Sequence, residues 1–165
     1  MKRTTNRYRN HVGWYKIVNS NKFIKPIDET MNSTVKKDND VFVKYKSGLE
    51  RRAFVYADLN PKVKYFSIEP FAIEYIKPVD NCKHRYYIDM FIEFTQGAKF
   101  LVEIKSSSET KLPDKPKHKT PKSMMLYKSQ IETFLVNQAK WKSANKFAQS
   151  RGMKFIVLTE HELKG

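Results

Sequence analysis

Two runs of alternating side chains joined by a tight turn constrain this chain more than any other feature. From Arg85 to Phe94, one face carries Tyr86, Ile88, Met90, Ile92 and Phe94, and the other Arg85, Tyr87, Asp89, Phe91 and Glu93. Thr95-Gln96-Gly97 supplies the turn. Lys99 to Lys105 returns with Phe100, Val102 and Ile104 on one side and Leu101, Glu103 and Lys105 on the other. A period of two over this length is a strand pattern, and the short connection makes the pair antiparallel. Phe71 to Ile76 reads as a further strand, turned by Pro78, Asp80 and Asn81 into the next. The expectation is a three-stranded antiparallel meander.

Helices flank it. Ser47 with Glu50 three residues on has capping-box spacing. Leu49, Ala53, Phe54 and Ala57 then recur at helical intervals until Asn60-Pro61, which predicts a helix over 48–59. From Ser123 to about Gln149, Ile131, Phe134, Leu135, Gln138, Trp141, Ala144 and Ala148 form a helical stripe, with Asn137 as a second cap or a kink. Gly152 ends it. Lys154 to Thr159 reads as a buried strand, and a helix-then-strand connection of this length suggests a parallel return to the sheet. The class is α/β. Val41 to Tyr45 is a short strand or an extended lead-in, and 26–40 reads as loop. Residues 1–25 hold seven Lys or Arg and no acid. Residues 1–40 are thus expected to be a basic N-terminal extension, and 41–165 the folded domain.

Thirty-two Lys and Arg against seventeen Asp and Glu leave a charge of +15. An excess of this size repels itself unless a polyanion neutralises it, and nucleic acid is the first candidate. No apolar run is long enough for a membrane span, and the basic N-terminus lacks the apolar stretch of a secretory signal. Cys82 is the only cysteine, which excludes a disulfide framework or a Cys-rich zinc site. His11, His84, His118 and His161 are scattered without metal-ligand spacing, and no glycine-rich phosphate loop exists.

The chemistry-bearing set is Asp89, Glu103 and Lys105. Two carboxylates on adjacent strands repel each other unless a cation joins them. Magnesium takes a few carboxylate oxygens together with water and substrate phosphate. A lysine alongside can orient water or offset charge on the phosphate. Glu-x-Lys occurs three times, at Glu103, Glu109 and Glu162, and only the first lies in a strand facing an acid on its hairpin partner. The bland alternative is a solvated strand face with weak cross-strand ion pairs. Glu50 has its own alternative, as a helix cap.

In this order, Glu50, Asp89 and Glu103-Ile104-Lys105 resemble the PD-(D/E)XK nuclease superfamily, with Ile88 in place of the usual proline. The ordered set Ser47-Gly48-Leu49-Glu50, Asn60-Pro61, Ser67-Ile68-Glu69, Arg85 to Asp89, Val102 to Lys105, Asn137 to Trp141, Arg151 to Phe155 and Leu158-Thr159-Glu160 resembles the head-completion nucleases of tailed phages. Endonuclease subunits of heteromeric transposases share a similar core. The resemblance implies a restriction-endonuclease-like core: helix, meander, crossover helix, returning strand. It implies Glu50, Asp89 and Glu103 as ligands of magnesium or manganese, Lys105 as the catalytic lysine, and Gln138 and Lys140 as further polar site residues on the late helix. It also implies double-stranded DNA as substrate, phage head or portal-vertex proteins as partners, and a place in the host cytoplasm during assembly or in the virion head.

The DNA grips expected from charge are Arg3, Arg7 and Arg9 in the arm and Lys111, Lys115, Lys117, Lys119 and Lys122 in a loop with three prolines. Tyr8, Trp14 and Tyr15 could stack on bases or ends. Two other readings stay open: a non-catalytic DNA-binding protein of the head or portal vertex, and a transposase-type endonuclease subunit.

Overall fold

Tyr15, Val18 and Asn19 are tied to the first helix by one buried acid, Asp58. The structure is a computed structural model that describes residues 11–27, 34–37 and 40–163. Within the stretch read as a basic arm and loop, β1 (Gly13–Lys16) and β2 (Thr34–Lys37) flank β3 (Asp40–Tyr45) in an antiparallel sheet. Ile17 and Val43 enter the core. Asp58, with no exposed surface, accepts hydrogen bonds from the Tyr15 hydroxyl (2.7 Å) and from the backbone N–H groups of Val18 (2.7 Å) and Asn19 (2.8 Å). The Lys22 ammonium donates to the carbonyls of Asp58 and Asn60. A buried carboxylate is tolerable when its oxygens are satisfied in this way. Tyr15 is thereby engaged inside the fold and is not a free stacking platform; Tyr8 lies outside the described residues.

α1 (Gly48–Leu59) has the predicted bounds, and the Ser47 side chain accepts from the Glu50 N–H at its start. That cap contributes about 1 kcal/mol. The box is not closed in the expected way, because the Glu50 carboxylate accepts from the N–H of Lys46.

The sheet that follows differs from the meander read from the sequence. β4 (Val63–Ile68), β5 (Ala72–Lys77), β6 (Cys82–Tyr87), β7 (Met90–Phe94) and β8 (Lys99–Ile104) come in succession. The run Arg85–Phe94 is therefore two strands, broken at Ile88 and Asp89. β6 pairs with β5 in a two-stranded ribbon, while β7 lies between β4 and β8. The antiparallel trio is β4-β7-β8, and β4 was not among the predicted strands. α2 (Pro121–Gln149) then crosses over, and β9 (Lys154–Leu158) returns parallel to β8 as expected.

α2 begins at Pro121, two residues before the predicted start. Thr120 and Ser123 form a capping box, and proline at the first helical position sacrifices no hydrogen bond. It is one helix of 29 residues with Asn137 buried inside it, so there is no second helix and no second cap at that residue. Its exposed first half carries Met124, Met125 and Leu126. Its second half packs Ala144 and Ala148 against Ile73, Tyr75, Tyr86, Ile88 and Leu101. On the other side of the sheet, Leu49, Ala53, Phe54 and Ala57 of α1 meet Phe66, Ile68, Met90, Ile92, Val102 and Ile104. The central strands are covered on both faces, which is why β8 is buried from Leu101 to Ile104 without alternation. Among the described residues, no helix is long and apolar enough to cross a membrane.

Candidate active site

The site is built at a bend shared by two paired strands. The last pairing of β4 with β7 is Ile68 with Met90, and the first pairing of β5 with β6 is Ala72 with Tyr87. Glu69 to Phe71 and Ile88 to Asp89 thus leave one sheet and enter another side by side. The Glu69 N–H donates to the Asp89 carbonyl at 3.0 Å, which closes the bend. Glu69 has φ +46°, a left-handed conformation uncommon for a residue with a side chain. Bends of this kind re-aim side chains next to active sites. Here the bend brings an acid from each strand to one place.

Asp89 is partly buried and accepts from the Ile104 N–H at 2.7 Å, which fixes it against β8. Glu103, at 3% exposure, pairs through its backbone with Val157 of β9. One of its oxygens lies 3.3 Å from the Lys105 ammonium, and the other, Oε2, is buried with no hydrogen-bond partner. β8 ends at Ile104, and Lys105 is the first residue beyond it, held by its N–H on the Leu158 carbonyl at 3.0 Å.

Electrostatics follow from this packing. Burial, then the neighbouring Glu103 charge, pushes the Asp89 carboxyl up to about 8. Burial pulls Lys105 down, but the charges of Asp89 and Glu103 outweigh it, so its net shift is upward. The packing thus favours the protonated form of Lys105. Lys140, on the packed half of α2, sits over the rings of Tyr75 (5.7 Å) and Tyr86 (5.4 Å), and the Tyr86 hydroxyl donates to its carbonyl. Burial lowers its pKa, opposed by the charges of Glu103 and Asp89. The structure thus brings Asp89, Glu103, Lys105 and Lys140 into one electrostatic neighbourhood.

Glu50 is electrostatically coupled to Asp89 and to Lys105. Burial raises its pKa, opposed by the Lys46 N–H and by the charges of Lys46 and Lys105, while Glu69 raises it further. Among the described residues no three metal-ligating side chains form a ready-made cage, so Glu50, Asp89 and Glu103 are not gathered as one three-acid set. Gln138 is exposed: the inward line of α2 runs through Ala144 and Ala148 of the stripe read in the sequence, but at the preceding turn the buried residue is Asn137. Lys111, Lys115, Lys117, Lys119 and Lys122 are all exposed. Arg3, Arg7 and Arg9 lie outside the described residues.

Sequence reasoning did not assign a role to Lys46 or Glu69. The Lys46 ammonium is hydrogen-bonded to Glu69 Oε1, and Glu69 Oε2 is buried without a partner. The available signal was the position of Glu69: an acid directly after the strand run Phe66-Ser67-Ile68 and before Pro70.

Comparison with known proteins identifies the family. Residues 60–160 match the family model described as TnsA-like endonuclease N terminal. The chain is also 35% identical over 122 residues to the head completion nuclease of Enterobacteria phage T4, covering 74% of this chain and 81% of that protein. The family match contains Glu69, Asp89, Glu103, Lys105 and Lys140 and begins after Lys46 and Glu50.

Proposed function

The chain belongs to the TnsA-like endonuclease family, and from that premise we propose that it is a divalent-cation-dependent nuclease of double-stranded DNA acting in phage head completion. Its fold in this reading is a restriction-endonuclease-like core carrying an N-terminal addition. It works in the host cytoplasm as heads are finished, alongside head or portal-vertex proteins, or within the virion head. One juxtaposition carries the proposal: the buried Glu103, one of its oxygens unpartnered, stands beside the partly buried Asp89 and 3.3 Å from the Lys105 ammonium.

The donor set suits magnesium or manganese. Both are hard cations that are content with one or two protein carboxylates, the rest being water and substrate phosphate. Asp89 and Glu103 would hold the cation, which supplies positive charge for the phosphoryl oxygens and acidifies water near them. Lys105, fixed by its backbone to β9, offsets negative charge as it develops on the phosphate. Lys140 adds a second positive charge on the α2 side. The exposed lysines of residues 111–122 track the backbone of the duplex without reading its bases. A protein that only bound DNA as part of the particle would gain nothing from paired carboxylates facing phosphates.

Cleavage of linear and supercoiled duplex DNA with magnesium, manganese or EDTA tests the proposal. The expected result is cutting that needs the cation. Lys105→Ala should lose about 10²–10³-fold in rate while DNA binding is retained. Neutralising Lys111, Lys115, Lys117, Lys119 and Lys122 together should flatten the dependence of log affinity on log salt by up to about 4.5. Cutting that persists in EDTA, or that survives Lys105→Ala, would sink the assignment.

A further inference from the structure

Just beyond Lys105 the chain opens a groove that the chemistry above leaves unused. It lies between residues 107–114 and the stretch of α2 at residues 129–134, with a volume of about 800 Å³. We propose that this groove binds an unpaired DNA strand beside the cut bond, with a base stacked on Phe134, so that the preferred substrate is a duplex bearing a single-stranded end rather than a blunt one.

The groove is anchored to the site. Ser107–Glu109 form one 3-10 turn shortly after the strand that carries Glu103. The N–H of Ser107 (2.8 Å) and its hydroxyl both donate to Glu160, just past β9. One wall is thereby fixed to the same pair of strands that holds Glu103 and Lys105. Glu109 lines the groove, and its charge acts on Lys105. A strand lying there passes next to that lysine.

Size and chemistry select the guest. A space of this volume suits a drug-sized molecule, so it admits about one or two nucleotides and excludes a duplex. Its wall offers the acceptors Glu109 and Asp114 and the neutral groups of Ser129 and Gln130, with Lys111 as the one cation among the described lining residues. Carboxylates repel phosphate but accept from base amino groups, and amides pair with base edges. The cations that suit a sugar–phosphate backbone, Lys115, Lys117 and Lys119, are exposed on the rest of the loop, outside the lining. A strand with its bases in the groove and its phosphates toward the loop meets both.

Phe134 lines the groove, is half-buried, and packs into neither apolar core. An aromatic ring so placed is a stacking platform for any base. About one turn earlier, the side chains of Ser129 and Gln130 are exposed and make no hydrogen bond among the described residues. A base already unpaired reaches the ring without unstacking, whereas a blunt end must first open. That difference is the origin of the preference.

The inference rests on the nuclease reading, and binding measured without cleavage separates the two. Fluorescence anisotropy follows the full-length protein on a labelled duplex in EDTA at constant salt. The duplex is blunt or carries a short thymidine overhang at its 3′ or its 5′ end. The wild type is expected to bind one overhang about tenfold more tightly than the blunt duplex. Phe134→Ala should bring that ratio close to one. So should Ser129→Trp, which fills the groove from an exposed position and decides if Phe134→Ala does not fold. Circular dichroism melts accompany both variants. A wild-type ratio near one, no binding at all, or a ratio that survives either substitution in folded protein overturns the groove. The expected ratios in a protein that cuts no DNA with magnesium or manganese leave the groove standing and remove the nuclease reading instead.

Discussion

Asp89→Asn is expected to abolish cleavage and to make the protein more stable. The rate should fall by about 10³-fold, because the substitution removes a carboxylate from the pair that faces phosphate. The stability gain comes from the same chemistry. Burial and Glu103 raise the Asp89 carboxyl to about 8 in the folded chain, above its ordinary value of 3.8. Between those two values the unfolded chain has released this proton and the folded chain still holds it. Stability attributable to Asp89 therefore falls as pH rises through that window. Asparagine has no proton to lose, and its carbonyl can still accept from the Ile104 N–H. The variant should match wild type near pH 4 and exceed it increasingly toward pH 8, read as a rise in Tm that grows with pH. Thermal melts at several pH values in EDTA check this. A constant difference between wild type and variant, or a variant that melts lower at pH 8, would refute it.

Asp58→Ala is expected to have the largest effect of opposite sign. Its carboxylate is the acceptor for the Tyr15 hydroxyl and the backbone N–H groups of Val18 and Asn19, and no part of it reaches solvent. Truncation leaves several donors unpaired in a space that a methyl group cannot fill. Each such orphan costs about 1–3 kcal/mol, so a loss of roughly 3–5 kcal/mol is expected, a large share of the stability of a domain. Urea unfolding measures it. Limited trypsin digestion gives an independent view, because releasing residues 15–22 from α1 frees the backbone around Lys16 and Lys22 for cleavage. A variant with wild-type stability and wild-type resistance at those bonds would show that the Asp58 contacts do not hold the N-terminal sheet to the helix.

Much of the fold was legible because it is written locally. Ser47 and the Leu49-Ala53-Phe54-Ala57 spacing define α1 with no long-range information. The alternation around Thr95-Gln96-Gly97 defines the hairpin that holds Asp89 near Glu103. The limits of that reading are just as physical. The alternation from Tyr86 to Phe94 runs unbroken through the bend at Ile88 and Asp89, because side chains keep their inward sense while the strand changes partners. Tyr86 and Ile88 reach one core, Met90 and Ile92 the other. Nothing in a period of two says which sheet is being joined. β4 was hidden because Lys64 and Ser67 interrupt its apolar run, although Ser67 is buried in the fold. In α2, period analysis favoured Gln138, whereas the buried residue is its neighbour Asn137: only half of the helix is packed, and the exposed half still contributes apolar residues to the stripe. For the site itself, sequence order led to Asp89, Glu103 and Lys105. It could not assign Lys46 and Glu69, whose contact depends on the bend and spans 23 positions.

The parallel pairing of β8 with β9 has a consequence for synthesis. Glu103 and Lys105 are held by Val157 and Leu158, which follow them by more than fifty residues. On the ribosome, the acids and the lysine of the site therefore emerge well before the strand that fixes their backbone. The geometry of the site is assembled only once β9 has been made and has docked beside β8.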